Sequence, residues 1–214
     1  MTMASRINLK EIVGRGYGEF WKCKKRYRVV KGGRGSKKSV TTALNFIKLL
    51  TQYDKANLLV IRKAFNTHRD STFAQLKWAI NRLQLNHIWE CTTSPLEIKN
   101  KYTKQKILFR GLDDPLAITS ITVDTGVLCW CWFEEAYQIT SEDDFDKIDG
   151  SIRGEIPEGY YKQLTLTFNP WNESHWLKRR FYDKQDDDIF AITTNYMCNE
   201  WLDEADKNRF ENAK

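Results

Sequence analysis

The chain has 214 residues, 41% hydrophobic and 13% aromatic with only 4 prolines, a make-up that describes one folded domain with a sizeable core and excludes a disordered chain or a staple-dependent miniprotein. Its 34 Lys and Arg against 28 Asp and Glu leave a formal charge of +6, which favours a polyanionic partner but is common in ordinary domains. The 5 cysteines, odd in number, argue against a disulfide framework, and no apolar run of membrane-spanning length or signal-peptide core stands out, so the expectation is a soluble cytoplasmic protein with no membrane partner.

In chain order, NLKEIVGRGYGEFW (residues 8–21) mixes helical spacing with three glycines and predicts a short helix followed by a turn. RYRVVK (26–31) is rich in β-branched and aromatic residues and reads as a strand running into the glycine-rich stretch KGGRGSKKS (31–39). After it, KSVTTALNFIKLLTQ (38–52) places Val40, Ala43, Leu44 and Ile47 at helical spacing. NLLVIRK (57–63) predicts a strand, RDSTFAQLKWAINRLQL (69–85) a helix, and LEIKN (96–100) with QKILFRG (105–111) a hairpin. VLCWCWF (127–133) predicts a strand in which Cys129 and Cys131 read as core, not as metal ligands. SEDDFDKI (141–148) predicts a helix capped by Ser141, QLTLTFN (163–169) a strand, HWLKRRFY (175–182) a short helix and DIFAITT (188–194) another strand.

Strands and helices in alternation imply an α/β fold with a mainly parallel sheet, and uninterrupted apolar runs such as VLCWCWF imply central strands covered by helices on both faces. The polar stretch DKQDDD (183–188) is the best boundary, dividing a core at 1–182 from an extension or small subdomain at 183–214.

Three stretches carry chemistry. A phosphate-binding loop reads G-x-x-x-x-G-K-[ST], and Gly32, Lys38 and Ser39 satisfy it, with Lys37 in place of the second glycine. Backbone N–H groups from residues 33–38 would form an anion nest at the helix start, Lys38 would reach the β- and γ-phosphates, and Ser39 would hold Mg²⁺. The bland alternative is a basic surface turn. Second, VLCWCWF ends in Glu134 and Glu135, where open α/β sheets bind ligands. If the strand alternation continues, the two carboxylates point to opposite sides, Glu134 toward Mg²⁺ and Glu135 toward the attacking water; a solvated strand end is the alternative. Third, LTLTFNP ends in Asn169, whose amide could bond the γ-phosphate or the lytic water, or merely start an Asn-Pro turn. This order suits ATPases whose glutamate-bearing strand lies beside the strand of the phosphate loop.

The stretches YRVVKGGRGSKKS, LLVIRKAFNTHRDSTFAQLKWAI, SPLEIKNKYTKQKILFRGLDDPLAITSI, WFEEAYQI, SIRGEIP and LTFNP, in this order, resemble the N-terminal ATPase domain of the large terminase subunit of tailed bacteriophages. The resemblance covers about residues 8–182 and implies a P-loop NTPase fold and a DNA-packaging motor. Such a motor uses ATP and Mg²⁺ to drive double-stranded DNA into a procapsid, as a homo-oligomeric ring on the portal protein alongside the small terminase subunit, in the cytoplasm of the infected bacterial host. It implies that Gly32, Gly33, Arg34, Gly35, Ser36, Lys37, Lys38 and Ser39 form the Walker A loop, that Glu134 and Glu135 are the Walker B and catalytic acids, and that Thr167, Phe168 and Asn169 couple hydrolysis to movement. Three positions depart from the pattern: relatives commonly have glycine at Lys37, many have aspartate at Glu134, and a basic residue is often found where Thr119 stands.

Arg34 is the candidate cis arginine for the transition state, and Arg153 or Arg110 could serve a neighbouring subunit. Arg62 and Lys63 could contact phosphate or DNA. Tyr17, Phe20 and Trp21 are candidates for stacking on adenine, with a core role as the alternative. WKCKKRYR (21–28) and HWLKRRFY (175–182) interleave basic and aromatic residues in a manner suited to sequence-independent contact with the DNA backbone, or to solvated helix faces. Large terminase subunits usually continue into a ribonuclease H-type nuclease, so an excised motor domain with ATPase but no DNA-cleaving activity is expected. The rivals are a helicase-like nucleic-acid ATPase and a degenerate P-loop module that binds nucleotide or DNA without turnover.

Overall fold

A computed structural model describes residues 8–113, 121–170 and 172–212, so Thr119 lies outside the described residues. Eight strands form one sheet: β1 (Tyr27–Gly32), β2 (Ala56–Arg62), β3 (Trp89–Thr93), β4 (Leu96–Asn100), β5 (Lys106–Gly111), β6 (Val127–Glu134), β7 (Gln163–Phe168) and β8 (Ile189–Thr194). Their order is β3-β4-β5-β2-β6-β7-β1-β8. From β5 to β8 every neighbouring pair is parallel, and β3-β4-β5 is an antiparallel appendage.

The helices are α1 (Leu9–Val13), α2 (Gly18–Lys22), α3 (Lys38–Gln52), α4 (Ala74–Arg82), α5 (Glu142–Ser151), α6 (Trp176–Phe181) and α7 (Glu204–Glu211). Among the described residues none is long and apolar enough to cross a membrane. The two faces of the sheet carry separate cores. Leu44, Phe46 and Ile47 of α3 and Leu76 and Ile80 of α4 pack with Leu58, Val60, Trp130 and Trp132 on one face. Phe145 and Ile148 of α5 and Leu177 and Phe181 of α6 pack with Leu59, Ile61, Cys131, Phe133 and Leu166 on the other. Successive residues of β2 and β6 thus feed opposite cores, which is why 58–61 and 127–133 are apolar at every position. Each such fully buried side chain contributes about 1.5–3 kcal/mol relative to exposure. Ser141 caps α5 by accepting from the Asp144 N–H at 3.2 Å, and Glu142, Asp143 and Asp144 in the first turn complement the helix dipole.

Several elements differ from the sequence reading. The stretch 69–85 enters its helix late, because a 3₁₀ turn (Phe65–His68) and a π turn (Arg69–Phe73) precede α4. Residues 8–21 contain two short helices where one was expected, and β3 and α7 were not foreseen. The weakly apolar β3 becomes a strand only through its pairing with β4. The acidic strand β6 is not beside β1: β7 lies between them and pairs in parallel with both. Beyond residue 183 the chain supplies β8, which pairs with β1 through the main sheet.

The basic-aromatic stretches are partly internal. Arg28 is fully buried, donating to Thr165 Oγ1 at 3.0 Å, Asn45 Oδ1 at 2.7 Å and the Phe20 carbonyl at 3.2 Å, with its guanidinium over the Phe20 ring. Burial lowers its pKa to about 10. Arg26 pairs with Asp149, and Arg180 pairs with Glu142 and Asp146, while Trp176 and Phe181 are core. Lys22, Lys24 and Lys25 remain exposed.

His68 ties the turn before α4 to the sheet. Its Nε2 donates to the Arg110 carbonyl at 2.9 Å, which leaves Nδ1 to accept from the Thr72 hydroxyl at 2.7 Å. Burial pushes its pKa down to about 4, so folding favours the neutral ring. This contribution is complete above the unfolded value near 6.5 and is lost as pH falls through about 4; it amounts to about 3 kcal/mol at most. His68→Gln is expected to be less stable than wild type at pH 7 in urea unfolding yet to lose less stability between pH 7 and 4.5. Parallel pH profiles for the two proteins would show that His68 does not carry this dependence.

Candidate nucleotide-binding site

The turn from β1 into α3 is made by Gly33, Arg34, Gly35, Ser36 and Lys37, and two of these lie in the left-handed region, Gly35 at φ 76° and Lys37 at φ 52°. Three of the loop's carbonyls are occupied from outside or within it. The Gly33 carbonyl accepts from Ser36 Oγ at 2.8 Å, the Gly35 carbonyl from Asn199 Nδ2 at 2.8 Å, and the Ser36 carbonyl from Tyr17 Oη at 2.6 Å. The first N–H groups of α3 have no acceptor within the helix. With these carbonyls bonded and amides left at a helix start, the loop has an arrangement that suits an anion nest.

Lys38 and Ser39, the first residues of α3, meet the carboxyl edge of the sheet. Lys38 Nζ donates to Asn169 Oδ1 at 2.6 Å, just past the end of β7. Burial lowers the pKa of Lys38, against the opposing pull of Glu134 and Glu135. The Ser39 hydroxyl donates to one oxygen of Glu134, and the Thr167 hydroxyl of β7, itself receiving Trp132 Nε1–H at 2.7 Å, donates to the other. Glu134 is buried, and that burial raises its pKa against the two hydroxyl bonds. The predicted constellation of Lys38, Ser39, Glu134 and Asn169 is therefore assembled by α3, β6 and β7.

Glu135 corrects one expectation. It is not the next residue of an alternating strand: at φ 56° and ψ 45° it leaves β6 in the left-handed region and starts a 3₁₀ turn (Ala136–Gln138). A non-glycine residue in this conformation stores strain of order 1 kcal/mol, which the surrounding structure must offset. Its Oε2 is buried and has no hydrogen-bond partner among the described residues.

Lys37 also departs from its expected part. Its ammonium turns away from Lys38 to pair with Glu200 and to donate to the Val13 carbonyl at 3.2 Å. Only its backbone can serve the nest. Tyr17 and Phe20 are fully buried, Tyr17 as a brace of the loop, so neither ring is open to a base; Trp21 is half-buried against the core. Arg34 is exposed on the loop. Arg153 lies at the far edge of the sheet: the Ile152 carbonyl accepts from Arg26, which immediately precedes β1, while the loop follows β1. Within one chain Arg153 and the loop are therefore on opposite edges. Arg62 stands beside Glu134, since Ile61 pairs with Phe133 in register, but its guanidinium is held by the Thr67 carbonyl at 3.0 Å and by Ser71. Asn199 and Glu200 were missed; no local pattern marks them, because they reach the loop only through the fold.

A cavity beside Ser39 and Glu134 is lined further by Asp70, Gln75, Trp78 and Trp132. The hydroxyl of Ser39 and the carboxylate of Glu134 are hard oxygen donors already in contact, a pairing that suits Mg²⁺ completed by phosphate oxygens and water. Residues 24–214 match the phage terminase large subunit family. The chain belongs to that family. It is 31% identical to the large terminase subunit of Bacillus phage SPP1 over 216 residues, taking in 98% of this chain and 51% of that protein. It is 34% identical over 156 residues to the PBSX phage terminase large subunit of Bacillus subtilis strain 168, taking in 73% of this chain and 34% of that protein. The chain thus spans about half, or less, of these relatives. The large terminase of a thermophilic bacteriophage has the same fold, with a TM-score of 0.71 at 16% identity over 89% of this chain and 45% of that one. A further crystal form of that protein, TM-score 0.69, holds ATP-γ-S.

The Tyr17 hydroxyl reaches Ser36 at the buried heart of the terminase loop, and burial pushes its pKa up to about 12. Tyr17→Phe leaves the Ser36 carbonyl short of a donor and is expected to lower stability by about 1–2 kcal/mol. Thermal melts of the two proteins check this; an unchanged midpoint would mean that the hydroxyl does not brace the loop.

Proposed function

We propose that this chain is the ATPase motor domain of a phage large terminase subunit, hydrolysing Mg-ATP to drive double-stranded DNA into a procapsid. The observation that carries the proposal is the meeting of Lys38, Ser39, Glu134 and Asn169 at the carboxyl edge of β6 and β7, directly after the amide-rich loop. In this reading Gly32 to Lys38 cradle the phosphates through their backbone, and Lys38 exchanges Asn169 for phosphate oxygens. Ser39 and Glu134 would hold Mg²⁺, which when bound would neutralise charge on the β- and γ-phosphates. Glu135, with its unpartnered Oε2, orients and polarises the attacking water. Asn169, released by Lys38, is then free to sense the γ-phosphate.

The proposed partners, in keeping with the family, are double-stranded DNA held through its backbone, the portal protein, the small terminase subunit and further copies in a ring, in the cytoplasm of the infected bacterial host. The proposed motor unit includes β8 and the segment after it, beyond the division expected at 183. DNA cleavage is not assigned to these residues. The reading without turnover rests on Lys37 in place of glycine and Glu134 in place of aspartate; since Lys37 adopts the left-handed turn with its ammonium elsewhere and Glu134 meets Ser39, turnover is preferred.

Lys38→Ala is expected to weaken ATP binding, because it removes a charge from the phosphates. Glu135→Gln is expected to bind ATP as wild type does and to lose on the order of 10³-fold in turnover. Equilibrium nucleotide binding and steady-state phosphate release separate the two; wild-type turnover by Glu135→Gln would transfer the catalytic role to Glu134.

An arginine finger is typically worth about 10³–10⁵ in kcat. Arg34 can serve only from within the loop, and Arg153, at the far edge, only a neighbour's site. Mixing Arg153→Ala with Glu135→Gln subunits distinguishes them. Activity regained in the mixture supports Arg153 in trans; Arg153→Ala that retains full concentration-dependent activity assigns the role to Arg34.

A further inference from the structure

Resting on the ATPase reading, the inference concerns how a loop with lysine at its second glycine position keeps its shape. Left-handed backbone is open to glycine at no cost and disfavoured for a lysine by roughly 1–2 kcal/mol. Lys37 adopts it nonetheless, at φ 52° and ψ 19°, as the residue before α3. Its side chain is 1% exposed, so its ammonium must be matched. The match comes from residue 200, at a separation of 163 positions: Glu200 pairs with Lys37 through Oε2 and accepts the Arg15 backbone N–H at 2.9 Å through Oε1. The Val13 carbonyl takes a second proton of the ammonium at 3.2 Å, and the Trp201 ring lies 4.9 Å from it. Gly14, at φ 67°, makes the room, since a Cβ there would collide with the Glu200 carboxylate.

The contact is one of three along the same segment. Asn199 donates to the Gly35 carbonyl, and the Phe210 ring lies where a Cβ on Gly35 would stand, 2.7 Å away. Phe210 is in turn stacked on Tyr196 at 5.4 Å. Consecutive residues after β8 therefore grip two turning points of the loop, Gly35 and Lys37.

We propose that Glu200 is a positioning residue for nucleotide binding: its pairing with Lys37 holds the loop in the left-handed turn that a glycine would adopt unaided. Glu200 acts through Lys37, and so its removal matters only while residue 37 has a side chain to be misplaced.

That dependence gives the test. Binding of a fluorescent ATP analogue with Mg²⁺ is measured on the whole chain for wild type, Glu200→Ala, Lys37→Gly and the double variant, with phosphate release and thermal melts in parallel. Glu200→Ala is expected to weaken binding and raise KM by about fivefold to thirtyfold with kcat changed much less, the range set by the left-handed penalty. In the Lys37→Gly background the same change is expected to have little effect, and hydrogen exchange of the amides at 33–38 should speed up in Glu200→Ala but not in the double variant. If Glu200→Ala is equally harmful with glycine at 37, or lowers kcat and melting temperature without a change in KM, Glu200 is a structural residue only and the proposal fails. Should Glu200→Ala not fold, Glu200→Gln, which keeps the hydrogen bonds and removes the charge, is expected to show the same KM increase in smaller measure; unaltered binding in that variant overturns the proposal. Wild-type protein that binds no nucleotide would sink the ATPase reading itself, whereas wild-type binding with Glu200→Ala unchanged sinks this inference alone.

Discussion

The Glu134 carboxylate receives one hydroxyl from Ser39 at the start of α3 and another from Thr167 near the end of β7. A buried carboxylate is tolerated only when its oxygens are matched, and these two hydroxyls are what match it. The contact consequently locks the first turn of α3 to the carboxyl ends of two central strands. Everything else in the site is set around it: Lys38 precedes Ser39 and so falls against Asn169, two residues beyond Thr167. A carboxylate held by neutral hydroxyls, with its pKa raised by burial, is also one whose charge a cation would balance. In the ATPase reading proposed above, this contact is where Mg²⁺ would be held.

The strand order explains how so many polar ends converge. With β7 inserted between β1 and β6, the loop after β1, the amide after β7 and the acid at the end of β6 succeed one another across three adjacent strands. Both faces of these strands are sealed by separate cores, and the polar residues of the site gather at their carboxyl ends. Arg28, buried beneath the loop strand and bonded to Thr165, Asn45 and the Phe20 carbonyl, joins β1 to β7, α3 and α2 from within. The strand carrying the loop is thus fixed at its core as well as at its end.

Positive charge is distributed less simply than a net +6 implies. Arg26, Arg179, Arg180 and Lys37 are all engaged with acids of the same chain. Of the stretch 21–28, Arg28 is interior, and of the stretch 175–182, Trp176, Leu177 and Phe181 are core. The interleaving of basic and aromatic residues in these two stretches therefore reflects amphipathic packing at least as much as any external surface. Lys22, Lys24 and Lys25 of the first stretch are exposed, Lys22 beside Glu19 at 3.3 Å and Lys25 donating to the Ile189 carbonyl at 3.1 Å.

By itself the sequence determined the features governed by local period. The helix 38–52 was legible because its apolar spacing and the glycine turn before it are local properties, and β2 and β6 because strands sealed on both faces carry long apolar runs. Lys38, Ser39, Glu134 and Asn169 were legible for the same reason, as polar residues at the ends of such elements. Tertiary structure alone decided the rest. It placed β7 between β1 and β6, turned Glu135 out of its strand, sent Tyr17 and Phe20 inward, and brought Glu200 to Lys37. Each of these depends on which surfaces meet across long stretches of chain. A side chain's periodicity reports that it will be buried or exposed, whereas its partner is chosen by packing and by the need to satisfy every buried polar group.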